Sequence, residues 1–426
     1  MTILKSIMIE LIYYGIVYLF LVQLFLTFLL NIFQNKTSCT NVDNHHHYFF
    51  IVPCVNEELV IYQTISSLLA IDNNCHIIAI DDGSTDNTYN IMQQFPDNRC
   101  TIIKRELPNA RQGKGVALNV ALQWCIQEVK KRDLPLDSVI VGVIDADGKL
   151  SNDAMNELNR AFSEKDVAAV QMRVKMYDDF KNTLQVAQDL EFFTVNNLIQ
   201  KARVSTNSVG LSGNGQFFRL GPILETIGPN PWGTSLLDDY ELTLKLMSEN
   251  LKIAYVSNAY VYQEALSSTK LFIKQRSRWV QGNLDCLKYI RQVSSSTTLT
   301  SIQKLSIFYF LSQPFINLIA TSCILIFSIK SSKQIYNSLP IIYENTNHYL
   351  FLLFIILGFS IIFGIIFTVL YDKNLSATKE IKPPFRFFLL LPFATSYMYL
   401  ILFFSILIAF WRQLSHQRSW IKTKRN

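Results

Sequence analysis

Val139-Ile140-Val141-Gly142-Val143-Ile144-Asp145-Ala146-Asp147-Gly148 is the stretch that decides how this chain folds. The apolar run up to Ile144 is rich in β-branched residues and reads as a strand buried on both faces. Two carboxylates one residue apart close it, and Gly148 turns the chain. Unpaired carboxylates are costly to bury, so the pair makes a poor core and a good cation site. Mg²⁺ takes oxygen ligands and is commonly held by one or two carboxylates together with a substrate phosphate. The stretch therefore points to phosphate-linked chemistry at the end of a central strand.

The same pattern continues on both sides. Strand-like runs occupy Tyr48–Cys54, His76–Asp81, Thr101–Arg105, Ser138–Ile144, Val167–Val174 and Lys252–Val261. Helical spacing predicts helices over Glu58–Ile71, Thr85–Phe95, Gly115–Arg132, Asp153–Ser163, Thr183–Arg203 and Leu237–Asn250. Strands alternating with helices imply an α/β, Rossmann-like, mostly parallel sheet covered on both faces. Ligands in such sheets bind beyond the carboxyl ends of the strands, which is where the polar clusters of this chain fall. His45-His46-His47, ahead of the first strand, reads as a solvated link.

The first strand runs into Pro53, Asn56 and Glu57, and the second into Asp81-Asp82-Gly83-Ser84-Thr85-Asp86. A helix cap explains Ser84 and Thr85. It does not explain two acids closing a buried strand, which suit hydrogen bonds from a nucleobase or ribose. Lys114, between Gly113 and Gly115 at a helix start, suits a phosphate, although the P-loop spacing is absent. Ser212-Gly213-Asn214-Gly215-Gln216 allows close backbone approach and offers hydrogen bonds for sugar hydroxyls. Asp238 and Asp239 open a helix; they favour its dipole, and a carboxylate there can act as a general base. Gln275, Arg278 and Trp279 share a helix face by their spacing of three and four. Arginine answers a pyrophosphate and tryptophan a sugar ring, and a basic amphipathic helix at a membrane surface has the same pattern.

Of 426 residues half are hydrophobic, with 30 Phe and 19 Tyr, more than one ordinary soluble domain carries. The excess lies in Ile7 to Phe33, Leu305–Ile329, Tyr349–Tyr371 and Phe385–Trp411, each long enough to cross a bilayer. The first exceeds the roughly 7–15 apolar residues of a signal peptide and lacks a small-residue cleavage site, so it reads as a retained anchor. The formal charge of +6 is uneven. Arg276, Arg278, Lys288, Arg291 and Lys304 precede the second segment, and Lys373, Lys379, Lys382 and Arg386 precede the fourth. By the positive-inside rule both groups place the middle domain in the cytosol of a multi-pass cell-membrane protein. The basic tail after Trp411 would then lie outside unless one segment is re-entrant or interfacial. Seven scattered cysteines without CxxC spacing suit a reducing compartment and no zinc or disulfide framework.

Taken in order, these clusters resemble the family 2 glycosyltransferases, in particular the membrane-embedded processive synthases of cellulose, chitin and hyaluronan type. The resemblance covers roughly Phe49 to Gly282. It implies a GT-A fold, a UDP-sugar donor and Mg²⁺ or Mn²⁺. By position, Asp82 resembles the acid of the Asp-Asp-Gly-Ser motif that contacts uridine. Asp145 and Asp147 resemble the Asp-x-Asp whose last acid holds the metal on the diphosphate. Pro53, Asn56, Glu57 and Lys114 join them on the donor side. Asp239 resembles the general base of the Thr-Glu-Asp motif, with Asp238 beside it. Gln275, Arg278 and Trp279 match Gln-x-x-Arg-Trp, which in the synthases holds donor pyrophosphate and acceptor sugar at a transmembrane channel. Ser212, Gly213 and Asn214 sit where an acceptor loop is placed, but they do not match Phe-Phe-Cys-Gly-Ser of the cellulose type.

The expected organisation is an N-terminal span (1–34), a GT-A domain (48–265), interface helices (266–304), three further spans (305–411) and a basic tail (412–426). The expected activity is inverting transfer from a UDP-sugar onto a growing glycan, coupled or not to export. The alternative is addition of one sugar to a membrane lipid; a nucleotide-binding transporter comes third, since the C-terminal spans carry no intramembrane charge pair. The lipid bilayer is an expected partner and a nucleic-acid polymer is not.

Overall fold

The computed structural model describes residues 29, 45–71, 74–338 and 361–417. Apart from Leu29, the first apolar segment lies outside the described residues. The chain builds β1 (His47–Cys54), α1 (Ile61–Leu69), β2 (Cys75–Asp82), α2 (Thr88–Met92), β3 (Cys100–Arg105) and α3 (Lys114–Lys131). Next come β4 (Val139–Val143), β5 (Lys149–Leu150), α4 (Ala154–Phe162) and β6 (Val167–Met176). One sheet of eight strands has the order β3-β2-β1-β4-β7-β6-β8-β5, where β7 is Gln216–Arg219 and β8 is Lys252–Gln263. β1, β2, β3 and β4 pair in parallel, as do β6 and β8; β7 runs against β4 and β6, and β5 against β8.

Side chains alternate across a strand, and β1 shows this directly. Phe49 and Ile51 enter a core with Leu118, Leu122 and Cys125 of α3. Phe50 and Val52 enter the opposite core with Ile61, Ile65 and Leu68 of α1. Both faces are covered, which is why the strand sequences are almost continuously apolar.

Sequence reading missed β7, too short to show a period, and α7 (Leu220–Thr226) that follows it. β6 extends two residues past Val174 because Lys175 is buried within it. The expected Thr183–Arg203 helix is α5 (Thr183–Asp189), a π-helical segment (Leu190–Asn196) and α6 (Asn197–Val204) in one run. His46 does not lie in a solvated link: it is buried, with its ring 6.4 Å from Tyr48 and 6.2 Å from Phe162.

Beyond α8 (Asp238–Ser248) and β8 come α9 (Thr269–Asp285), a 3₁₀ turn (Cys286–Tyr289), α10 (Ile290–Ser295) and α11 (Ser301–Ser338). α12 (Ile361–Thr378), α13 (Phe385–Leu389) and α14 (Leu391–Leu414) complete the described chain. Among the described residues three helices are long and apolar enough to cross a membrane: Ser301–Ser322, Ile361–Thr378 and Leu391–Leu414. The second runs past the expected limit at Tyr371. α9 lies along α14 through Phe272 with Ile401 and Val280 with Ile406.

Phe217 of β7 is fully buried, edge-on to Phe50 with ring centroids 6.3 Å apart. Phe217→Ala is expected to cost about 3–5 kcal/mol, read as a lower melting temperature of the detergent-purified protein.

Candidate active site

The antiparallel β7 explains how the site assembles. Because it opposes β4, its N-terminal end meets the carboxyl end of β4, with Gln216 facing Val143. Gly215 N–H donates to Val143 O at 3.0 Å. The Ser212–Gly215 loop is therefore carried to the Asp145–Asp147 turn, and Asp145 N–H donates to Asn214 Oδ1 at 3.1 Å. β8 ends at the same edge: Asn214 Nδ2 donates to Gln263 Oε1 at 3.2 Å, and Glu264 N–H to Asp147 Oδ2 at 2.9 Å.

Lys114, at the first position of α3, reaches Asp145 Oδ1 at 2.6 Å. Gly213 adopts φ +78°, and a Cβ built there would lie 3.2 Å from Asp239 Oδ2 and 3.8 Å from Lys114 Nζ. The positive φ favours glycine there. Asp238 and Asp239 open α8 and are 9% exposed. One oxygen of Asp238 is buried without a hydrogen bond, while Asp239 Oδ1 accepts from Tyr240 N–H at 2.7 Å. Burial, and then the charge of Asp238, push Asp239 up to about 7. Burial also raises Asp238; Lys114 opposes the rise, Asp145 adds to it and Arg278 opposes it more weakly.

α9 is brought against the start of α8 by Gly282, where a Cβ would come within 2.4 Å of Leu237 N. Ser235 Oγ donates to Gly282 O at 3.0 Å across the same contact. Arg278 lies one turn earlier on α9, so its charge acts on Asp238. Trp279 is differently engaged. It packs edge-on to Phe192 at 6.1 Å, and Arg276 lies 4.4 Å from its ring centre. Arg276 also grips Glu191 with two bonds of 2.8 and 2.7 Å. This clamp was absent from the sequence reading, because Glu191 is far from Arg276 along the chain. Gln275 is half-buried on the same helix.

The β1–β2 corner is also ordered. Asn56 Oδ1 accepts from Thr85 N–H at 2.7 Å, and Glu57 N–H donates to Thr88 Oγ1 at 2.7 Å. Pro53 pairs with Ile80. Asp82 is held by Arg105 at 2.5 Å; burial nevertheless raises its carboxyl, with Arg105 pulling the other way. Asp81 accepts from Ser84 N–H at 3.1 Å through one oxygen, and its other oxygen is buried without a hydrogen bond.

Among the described residues no group of three or more His, Cys, Asp or Glu side chains is placed to hold a metal ion. An ion at Asp145 and Asp147 would need further ligands from phosphate and water, the arrangement Mg²⁺ commonly adopts. The two-carboxylate turn fits that donor set.

The raised Asp239 has a stability consequence. Below about pH 4 its carboxyl is protonated in folded and unfolded chains alike. Between there and about 7 only the unfolded chain ionises, so stability falls as pH rises through this window. Asp239→Asn removes the penalty. The variant is expected to melt above the parent at pH 8 and level with it at pH 4; an equal difference at both pH values would contradict the assignment.

The comparisons agree with this architecture. A mannosyltransferase from Pyrobaculum calidifontis, solved with GDP-Man and Mn²⁺, superposes with a TM-score of 0.60 at 16% identity, over 95% of this chain and 99% of that one. That likeness concerns the fold, GT-A. The beta-monoglucosyldiacylglycerol synthase of Synechocystis sp. is 28% identical over 241 residues, 54% of this chain and 47% of the relative. The poly-beta-1,6-N-acetyl-D-glucosamine synthase of Staphylococcus aureus (strain COL) is 25% identical over 257 residues, 59% of this chain and 58% of the relative. The matched region thus spans about half of these curated relatives. The family described as glycosyltransferase like family 2 matches residues 45–282, more than half of the chain and every strand of the sheet. The chain belongs to the family 2 glycosyltransferases.

Proposed function

We propose that this chain is a membrane-bound, inverting hexosyltransferase that uses a UDP-sugar. The observation that carries the reading is the buried Asp238–Asp239 pair facing Lys114 and Asp145 at the sheet end. A carboxylate with a pKa near 7 is suited to accept a proton at neutral pH. Asp239 takes the proton of an acceptor hydroxyl. The hydroxyl oxygen attacks the anomeric carbon from the side opposite the nucleotide, and the bond to the diphosphate breaks. Lys114 and Arg278 neutralise charge gathering on the departing diphosphate. Asp147 and Asp145 would hold Mg²⁺ or Mn²⁺, which when bound would supply further positive charge there. Asp82, with Asn56 and Glu57 bracing its corner, receives the uridine. Ser212, Gly213 and Asn214 line the acceptor side together with Trp279, and Gln275 joins Arg278 and Trp279 on the donor side along α9.

Helices α11, α12 and α14 cross the bilayer, with the catalytic domain on the cytoplasmic face. The first reading of the product is an extended glycan, supported by the likeness to the N-acetylglucosamine polymer synthase. The second is a glycolipid carrying one added sugar, supported by the 28% identity to the glucosyldiacylglycerol synthase.

Purified protein given a panel of UDP-sugars with Mg²⁺ or Mn²⁺ and native lipids is expected to release UDP. A product ladder supports the polymer, and a single glycolipid supports the second reading. Asp147→Ala is expected to bring transfer to background while the protein still inserts, measured in membrane vesicles. Asp239→Asn is expected to lower kcat about 10²–10⁴-fold with KM for the donor little changed.

A further inference from the structure

Behind the Asp145–Asp147 turn lies a buried polar cluster that the chemistry above does not use. The Lys175 side chain on β6 is completely buried, with Nζ 2.5 Å from Asp178, 3.6 Å from Asp189 and 3.7 Å from Glu380. Asp189 is equally buried. One of its oxygens accepts from Met176 N–H at 2.7 Å, and the other from the Tyr371 hydroxyl at 2.6 Å. Tyr371 belongs to α12, and Glu380 follows just beyond that helix. Glu380 accepts from the hydroxyl of Tyr260, and from that of Tyr262 at 3.2 Å. Tyr262 stacks on Tyr177, with ring centroids 5.6 Å apart and planes within 8°. The Tyr177 hydroxyl then donates to the carbonyl of Asp147 at 3.0 Å.

Buried ion pairs are weak evidence for stability, because desolvation offsets their attraction. Their directional bonds do fix geometry. Here two bonds to Asp147 come from elements that the cluster ties together. Tyr177 follows β6, which carries Lys175. Glu264, whose N–H holds the Asp147 carboxylate at 2.9 Å, follows β8, which carries Tyr260 and Tyr262. The two strands run side by side, with Lys175 paired to Tyr262.

We propose that Tyr177 is a positioning residue for Asp147, and that Lys175, Tyr262 and Glu380 hold it in register only while α12 is docked on the sheet. The proposal rests on Asp147 being a metal ligand. Groups that orient a metal ligand from behind typically change metal affinity about 10–100-fold when removed. Tyr177→Phe deletes the hydroxyl and keeps the ring stack. Glu380→Gln weakens the hold on Lys175 and both tyrosines without touching the site.

The test is a Mn²⁺ titration of the full chain in nanodiscs with UDP present, following free Mn²⁺ by electron paramagnetic resonance. Asp147→Ala is expected to lose the ion. Tyr177→Phe is expected to bind it about 10-fold more weakly and to raise KM for the donor more than it lowers kcat. Glu380→Gln is expected to shift in the same direction. If Asp147→Ala loses the ion but both other variants bind it as the parent does, the positioning role is overturned while the metal assignment stands. Unchanged affinity with a lowered melting temperature overturns it equally, since the cluster is then only structural. If Asp147→Ala itself binds Mn²⁺ as the parent does, the metal assignment fails and the proposal falls with it.

Discussion

Lys114 reaches Asp145 at 2.6 Å, and the charges of Asp238 and Asp239 act on it as well. One ammonium cannot neutralise three carboxylates held in a poorly solvated corner. Burial, and then the charge of Asp238, push Asp239 up to about 7, so that proton uptake relieves part of the excess. The rest of the architecture follows from keeping these groups together. α3 delivers the lysine, the turn after β4 the carboxylates of Asp145 and Asp147, and α8 the acid pair. Gly213 leaves room between them, and Gly282 lets α9 close over the α8 end with Arg278 as a second cation. A divalent cation would offset the negative charge that the protein leaves open.

How much of this was legible depended on whether the determinant was local. The parallel half of the sheet was readable because β1, β2 and β4 carry long apolar runs that end in acids. Asp145, Asp147, Asp238 and Asp239 stood out because buried or helix-opening carboxylates need a reason. β7 was invisible: four residues are too few for a period, although Ser212-Gly213-Asn214 before it marked the loop. Lys175 misled in another way. A lysine in an apolar run signals the end of a strand, and its countercharges Asp178, Asp189 and Glu380 lie on three different segments. The clamp of Arg276 on Glu191 was hidden for the same reason: a long-range ion pair has no sequence spacing.

The catalytic sheet and the apolar helices are not joined by a flexible tether alone. Phe367, Tyr371 and Leu375 of α12 pack with Val186, Leu190 and Phe193 of the α5 region. Asn374 adds a bond to Thr194 at 3.1 Å. α9 makes the second junction, seated between α8 and α14. The sheet and α9 are therefore both anchored to helices long and apolar enough to cross a membrane.

The π-helical segment at Leu190–Asn196 sits at the crossing of these connections. Asp189 just before it turns to Tyr371, Glu191 within it turns to Arg276, and Asn197 just after it accepts from Tyr255 at 3.0 Å. Further on, Gln200 bonds both polar groups of the Gly210 backbone, which leads into the Ser212 loop. A helix advances about 100° per residue. Removing one residue to restore ordinary helical winding would swing Asn197 and Gln200 off their partners while Asp189 stayed in place. The length of this segment is thus a specification in its own right: the residue count sets the phase between Asp189 on one side and Asn197 and Gln200 on the other.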